Sequence, residues 1–298
     1  MKTDVRFRSN GVTVAAHLYT PDNTSGEQLP AIVVGHPTTG VKEQTAAIYA
    51  ERLAKEGFIT LAFDAAYQGE SEGFPRGLED PDQRADDFRN AVSYLSTRGD
   101  VDPGRIGAVG ICGSGGYLAY AAQTDRRMKA VATVVGADVP QWIKAAGDEA
   151  FEQLIEGAGA ARTAEAAGEE VPMLPMVLFE IDESTPPALA EFHDYYRTPR
   201  AHHERSTGYI ALRSVDKLAQ FEPFARVERI APRPLLMVSG SEALTLPISQ
   251  DAVSRAGGSA ELFVVDGATH VDFYDKEEAV APAVGKLAGF FTRNLATA

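Results

Sequence analysis

A single cysteine, Cys112, stands among the 298 residues, beside one tryptophan. A lone thiol forms no internal disulfide, so it is a buried small hydrophobe, a reactive thiol or a surface accident. Histidine is scarce too, with six in all. They are scattered, and the one adjacent pair, His202 and His203, would point in different directions on a strand or a helix, which speaks against a metal site. Apolar runs stay short. Nowhere do about 18 apolar residues follow one another, so no membrane span is expected. The opening stretch MKTDVRFRSNGVTVAAHLYTPDN carries charges throughout and no apolar signal region, which predicts a cytoplasmic protein. Positive charge is in deficit: 28 Lys and Arg face 42 Asp and Glu, a formal net charge of −14. Such a surface repels nucleic acid and anionic membranes, which leaves a small molecule as the expected partner.

What is present is ordinary globular material, 44 % apolar and 23 % charged. Val5 and Phe7, then Val12, Val14, Ala16 and Leu18, alternate on either side of Ser9-Asn10-Gly11, the pattern of an antiparallel hairpin. PAIVVGH is then a short apolar run followed by a helical pattern that stops at Gly57. The same beat returns in ITLAFDA, RIGAVGI, AVATVVGA, RPLLMVSG and AELFVVDG, with helical patterns between them and a closing amphipathic segment. These predict an α/β fold: a mostly parallel sheet covered on both faces, an antiparallel N-terminal hairpin, and a ligand site at the C-terminal strand ends. One interval of roughly 95 residues is too long for a simple crossover. Residues 138–228 are therefore expected to form an inserted, mainly helical cap on a core of residues 1–137 and 229–298.

RIGAVGICGSGGYLAYAA runs a strand into a helix through tiny residues. In the nucleophile elbow G-x-S-x-G the reactive residue sits at that turn, and Gly110-Ile111-Cys112-Gly113-Ser114 puts Cys112 in the slot. The following helix N-terminus should favour a thiolate and lower the thiol pKa. Ser114 is a rival nucleophile in the register shifted by two, where it would lie inside the helix; the bland alternative is a glycine-rich turn. A base should follow the last strand, and AELFVVDGATHVDFYD offers His270. The acid should follow the strand before, where Glu242 comes two residues after Gly240; Asp251 falls in the next helix, and Asp272 is too close to His270 in sequence. Donors for an oxyanion would be the Gly113 amide and one from GHPTTG, at Thr38 or Thr39, since Pro37 has no NH. His36 is read as a structural residue of that loop.

With these residues in place the chain resembles the α/β-hydrolase superfamily, and in particular its dienelactone-hydrolase-like branch, which uses Cys, Asp and His where most relatives use Ser. GHPTTGVKEQTAAIYAERLAKEGF, FDAAYQGESEG, VDPGRIGAVGICGSGGY, YYRTPR and GATHVDFYD look like a subgroup containing bacterial proteins of unassigned substrate and fungal polyketide thiohydrolases or acyltransferases. The resemblance implies Cys112 as nucleophile, His270 as base, Gly113 and the Thr38 region as oxyanion hole, and an aspartate where this chain offers Glu242. The expected reaction is hydrolysis of a small-molecule ester, thioester or lactone through a Cys112 acyl-enzyme, with no cofactor or metal. Acyl transfer or cyclisation of a natural-product scaffold, and binding without turnover, are the alternatives. Tyr67, Tyr195, Tyr196 and Arg197 are candidate pocket residues, with arginine clamping an acyl carboxylate or tying the cap to the core. Phe290 and Phe291 are expected to pack on the core or on a second subunit of a homodimer.

Overall fold

The computed structural model describes residues 1–22, 26–145 and 147–296. Strands β1 (Lys2–Ser9) and β2 (Val12–Tyr19) form the expected hairpin, Ser9 opposite Val12, with Asn10 and Gly11 both at positive φ as a tight two-residue turn requires. Then come β3 (Leu29–Gly35), α1 (Thr45–Lys55), β4 (Ile59–Phe63), α2 (Pro81–Ser96), β5 (Val101–Ile111), α3 (Gly113–Ala122) and β6 (Met128–Val134). Between β6 and β9 (Leu235–Gly240) lie α4 (Val139–Lys144), α5 (Asp148–Ala166), β7 (Met173–Pro175), α6 (Pro187–Arg197), β8 (Tyr209–Ala211) and α7 (Ser214–Leu218), with β7 and β8 as a small antiparallel pair. The chain closes with α8 (Leu246–Ala256), β10 (Ala260–Val265), α9 (Asp272–Asp275) and α10 (Glu277–Asn294).

Among the described residues eight strands form one sheet in the order β1-β2-β4-β3-β5-β6-β9-β10; β2 is antiparallel to β1 and to β4, and β4, β3, β5, β6, β9 and β10 are parallel neighbours. Side chains alternate between two cores, as the pleat demands. Ala31 and Val33 of β3 join Phe88 of α2 and Leu118 of α3 on one face, while Ile32 and Val34 join Leu53 of α1 and Leu287 of α10 on the other. Both faces are covered, which is why these strands read as continuous apolar runs. Phe290 and Phe291 are fully buried in this second core, each contributing about 1.5–3 kcal/mol, and offer no surface to a second subunit.

Local signals start the helices. Asp80 caps α2 by accepting from the amides of Asp82 and Gln83 at 3.1 and 3.3 Å, with Pro81 next. α3 differs: its first residue follows Cys112, and no side chain caps it. Its first amide, that of Gly113, is therefore free for something else.

The strand ends are tightly fitted. A Cβ on Gly35, the last residue of β3, would overlap Phe88 and lie 2.8 Å from Ser114 Oγ. Gly35→Ala is expected to destabilise the fold by about 1–3 kcal/mol through this overpacking. The shift in chemical denaturation midpoint measures it; a loss under about 0.5 kcal/mol would show that the contact can relax away.

Candidate active site

The C-terminal edge of the sheet gathers the predicted residues. Cys112 leaves β5 with φ 53° and ψ −123°, a region L-residues rarely occupy. Its own backbone bonds hold it there: its NH donates to Val134 O at 3.0 Å, and its carbonyl accepts from Gly115 and Ala137 at 2.8 and 2.9 Å. The Gly113 amide follows the thiol in sequence, and Thr38 lines the pocket beside it. They belong to one small space, since a Cβ on Gly113 would collide with the Thr38 hydroxyl. Thr39 sits at φ 61°, the turn that aims this loop back at the elbow.

The Ser114 hydroxyl is committed elsewhere. It is buried, donates to His36 O and accepts from Arg84 at 3.3 Å, so it ties the helix to the end of β3. Gly35 is what makes room for it, which is how the elbow tolerates a serine in the second glycine's place. His36 is structural, as read from sequence: Ala65 NH donates to its Nε2 at 3.0 Å, so its Nδ1–H donates to Pro37 O at 2.7 Å.

His270 follows β10 and is buried with both ring nitrogens engaged. Nδ1 meets Thr245 Oγ1 at 3.2 Å and Nε2 meets the Tyr274 hydroxyl at 3.2 Å. The expected acid is not there. Glu242 does follow β9, but its amide donates to Ala268 O at 3.1 Å and turns its side chain to solvent, while Thr245, further along the loop, is buried against the imidazole. Asp251 is exposed on α8, where Arg255 holds its carboxylate, and Asp272 binds the Thr269 amide and Lys276. Among the described residues no carboxylate therefore offsets the cost of charging His270, and burial alone lowers its pKa to about 3. The thiol departs from expectation in the same way. Burial pushes the Cys112 pKa up, outweighing the Tyr274 hydroxyl and the Gly113 and Thr38 amides that favour thiolate. At rest the pair is neutral thiol and neutral imidazole.

With this geometry in hand, comparison with known proteins decides the family. The Dienelactone hydrolase family pattern matches residues 14–160. The uncharacterised protein YcjY of Escherichia coli (strain K12) is 37 % identical over 307 residues, covering 99 % of this chain and 100 % of that protein. This chain belongs to the dienelactone hydrolase family. The crystal structure of the hypothetical protein PA2218 from Pseudomonas aeruginosa superposes with a TM-score of 0.92 at 35 % identity, covering 99 % of this chain and 94 % of that one. The acyltransferase drtE of Aspergillus calidoustus is 27 % identical over 303 residues, 97 % of this chain and 94 % of its own.

In this dienelactone hydrolase family member a pocket with about 500 Å³ of empty space, its mouth included, opens onto Cys112 and His270. Its apolar wall comes from the stretch between β6 and β9: Trp142, Met176, Val177 and Phe192. Phe192 lies on the imidazole, ring centroids 5.3 Å apart, and Trp142 backs it at 5.4 Å. Of the four expected pocket residues only Tyr196 lines it. Tyr195 accepts from the Thr45 amide at 3.1 Å inside the core, and the Tyr67 ring covers Gly73. Arg197 donates to Thr207 O at 2.6 Å with its guanidinium 4.0 Å over Phe179, and Arg200 pairs with Asp275 and Asp194. Both arginines brace the inserted stretch. Among the described residues no charged side chain lines the pocket.

One carboxylate trio among the described residues is close enough to hold a cation: Glu43, Asp64 and Glu70. Lys42 fills it, its ammonium 2.7, 2.9 and 2.7 Å from them in that order. Asp64 also accepts from the Lys42 amide at 2.7 Å, which anchors the chain just past Thr38 and Thr39. No helix among the described residues is long and apolar enough to cross a membrane.

Thr245 and Tyr274 escaped the sequence reading. Tyr274 lies four residues after His270, one helical turn, which was the available signal. The Thr245 contact is directly testable. Thr245→Asp puts a carboxylate beside Nδ1 and is expected to raise the His270 pKa by about one to three pH units. Titration of ¹⁵N-labelled imidazole by NMR reads it; an unmoved His270 would mean that Thr245 does not face it in solution.

Proposed function

We propose that this protein is a cysteine-dependent acyl hydrolase or acyltransferase acting on a neutral, largely apolar acyl group held as a thioester or activated ester. The observation that carries the reading is the Cys112 thiol held at a strained strand-to-helix turn, with Gly113 and Thr38 packed together beside it and His270 in the same pocket.

The mechanism follows from the charge state. Because the resting thiol and imidazole are both neutral, Cys112 loses its proton as it attacks the carbonyl, with His270 as the final acceptor. The carbonyl oxygen becomes an oxyanion facing the Gly113 and Thr38 amides, which need no reorganisation to receive it. Collapse expels the leaving group and leaves a Cys112 acyl thioester; His270 returns its proton to the departing atom. Water or another acceptor then attacks the acyl-enzyme, giving up its proton by the same route. Hydrolysis and transfer share every step up to that point. Residues 138–228, acting as a cap, would supply the acyl pocket.

Two features narrow the substrate. An imidazolium unsupported by a carboxylate is costly, so leaving groups that need little protonation fit best: thiols near pKa 8.5 and phenols near about 10, ahead of the far more basic alkoxides. A pocket lined by Trp142, Met176, Val177 and Phe192 with no charged group favours neutral chains. The hydrolase named by the family and the acyltransferase drtE support acyl chemistry of this kind.

Incubation with p-nitrophenyl butyrate or an acyl thioester is expected to add one acyl group to Cys112 by intact mass. Cys112→Ala should abolish the adduct and turnover, and His270→Ala should lower kcat by about 10²–10⁴-fold. p-Nitrophenyl hemisuccinate, which carries a carboxylate, is expected to be at least about tenfold poorer in kcat/KM because the pocket leaves that charge unpaired. Folded wild type with neither adduct nor turnover would favour binding without chemistry. Added alcohol or thiol acceptors separate the two enzymatic outcomes by the product formed.

A further inference from the structure

Cys112 and His270 share a pocket, but among the described residues neither ring nitrogen of His270 is hydrogen-bonded to the thiol. What stands between them is Tyr274. Its hydroxyl is 3.2 Å from His270 Nε2, and it lines the same pocket as the Cys112 thiol and Tyr196. The phenol cannot swing aside. It is fully buried, with Tyr195 edge-on at a centroid distance of 4.9 Å, Tyr196 at 6.2 Å and Phe192 at 6.3 Å. Its place follows from the chain: His270 precedes α9 and Tyr274 lies one turn later, so the two side chains meet on one face.

We propose that Tyr274 is a catalytic residue of this site, whose hydroxyl relays the Cys112 proton to His270 Nε2. The S–H bond breaks as an O–H bond forms on the phenol oxygen, while the phenol's original O–H breaks and an N–H bond forms at Nε2. Tyr274 ends the step unchanged, Cys112 has gained the electron pair for attack, and His270 carries the proton. For this direction Nε2 must accept, so Nδ1 carries the hydrogen and donates to Thr245 Oγ1; Thr245 thereby sets the tautomer. Burial and the neighbouring thiol hold the phenol's pKa well above its usual value, so Tyr274 passes a proton on without resting as tyrosinate. The arrangement gives a reason for a buried hydroxyl at the meeting point of the two reacting groups, where a phenylalanine would satisfy the packing.

The relay rests on the roles given above to Cys112 and His270, and the experiment separates the two. Tyr274→Phe keeps the ring and removes the oxygen. It is expected to lower kcat for p-nitrophenyl butyrate by about 10²-fold or more with KM changed little. The solvent isotope effect in mixed H₂O and D₂O should change from a two-proton to a one-proton dependence on deuterium fraction, a readout that packing alone would not move. If the variant is poorly folded by circular dichroism, 3,5-difluorotyrosine at 274 keeps the hydroxyl and makes it more acidic. The relay then predicts a basic limb of the kcat profile moved to lower pH. Full kcat in Tyr274→Phe, or an unmoved profile with difluorotyrosine, overturns the relay while Cys112→Ala and His270→Ala remain inactive. Activity retained in those two variants overturns the reading on which it rests.

Discussion

The backbone at Cys112 is the constraint on which the rest of the edge depends. A positive φ at a non-glycine residue costs of order 1–3 kcal/mol and persists only where the surroundings over-determine it. Here they do: β6 binds its amide, α3 and the turn after β6 bind its carbonyl, and Gly110 leaves room, since a Cβ there would collide with the Ser114 carbonyl. The strain lifts the thiol out of the sheet and points the uncapped start of α3 at it. A side-chain cap on α3 would have occupied the amide that the site uses.

A second layer beneath the edge carries charge, and it is kept out of the pocket. Arg84 and Glu79 form a buried pair at 3.2 Å, and Arg84 also reaches His36 O and Ser114, joining the end of β3 to the elbow. Lys42 and Asp64 do the same on the far side of the Thr38 loop. Buried ion pairs add little net stability against a well-packed apolar alternative, but losing one partner strands a charge. Their effect here is geometric. Two buried cations fix the ends of the loop that donates the Thr38 amide, while the pocket above contains hydroxyls, amides and one neutral imidazole.

How much of this could be read from sequence follows from what leaves a local mark. Strands covered on both faces leave short apolar runs, the Asn10-Gly11 turn leaves its own signature, and an elbow strips side chains from its neighbours, so Cys112 was visible. His270 was visible by topology, one loop after the last strand. The partner of His270 was not. A position after β9 signals where a residue can sit, not which way the loop turns. The Glu242 amide bonds Ala268 O, sending the carboxylate outward and bringing a threonine inward. The aromatic cluster misled for a related reason: Tyr195 and Tyr196 are adjacent on α6, so they face different directions and only one meets the pocket. Arg197 was read for its charge, but its fork is spent on a carbonyl and a phenyl ring.

The stretch between β6 and β9 and the proposed chemistry are not separable. Phe192 packs against the imidazole, so a side chain that shapes the pocket also keeps water from His270. A triad with a carboxylate tolerates water near its histidine because the charge is held in place. With Thr245 in that position, base strength is set by how dry the imidazole is, and dryness is set by Phe192 and Trp142 behind it. On the proposed function, acyl-group selection and the proton affinity of His270 would thus rest on the same few apolar contacts. A substitution made at Phe192 to widen the pocket would also admit water and raise the His270 pKa toward its ordinary value, coupling specificity to the pH at which the base works.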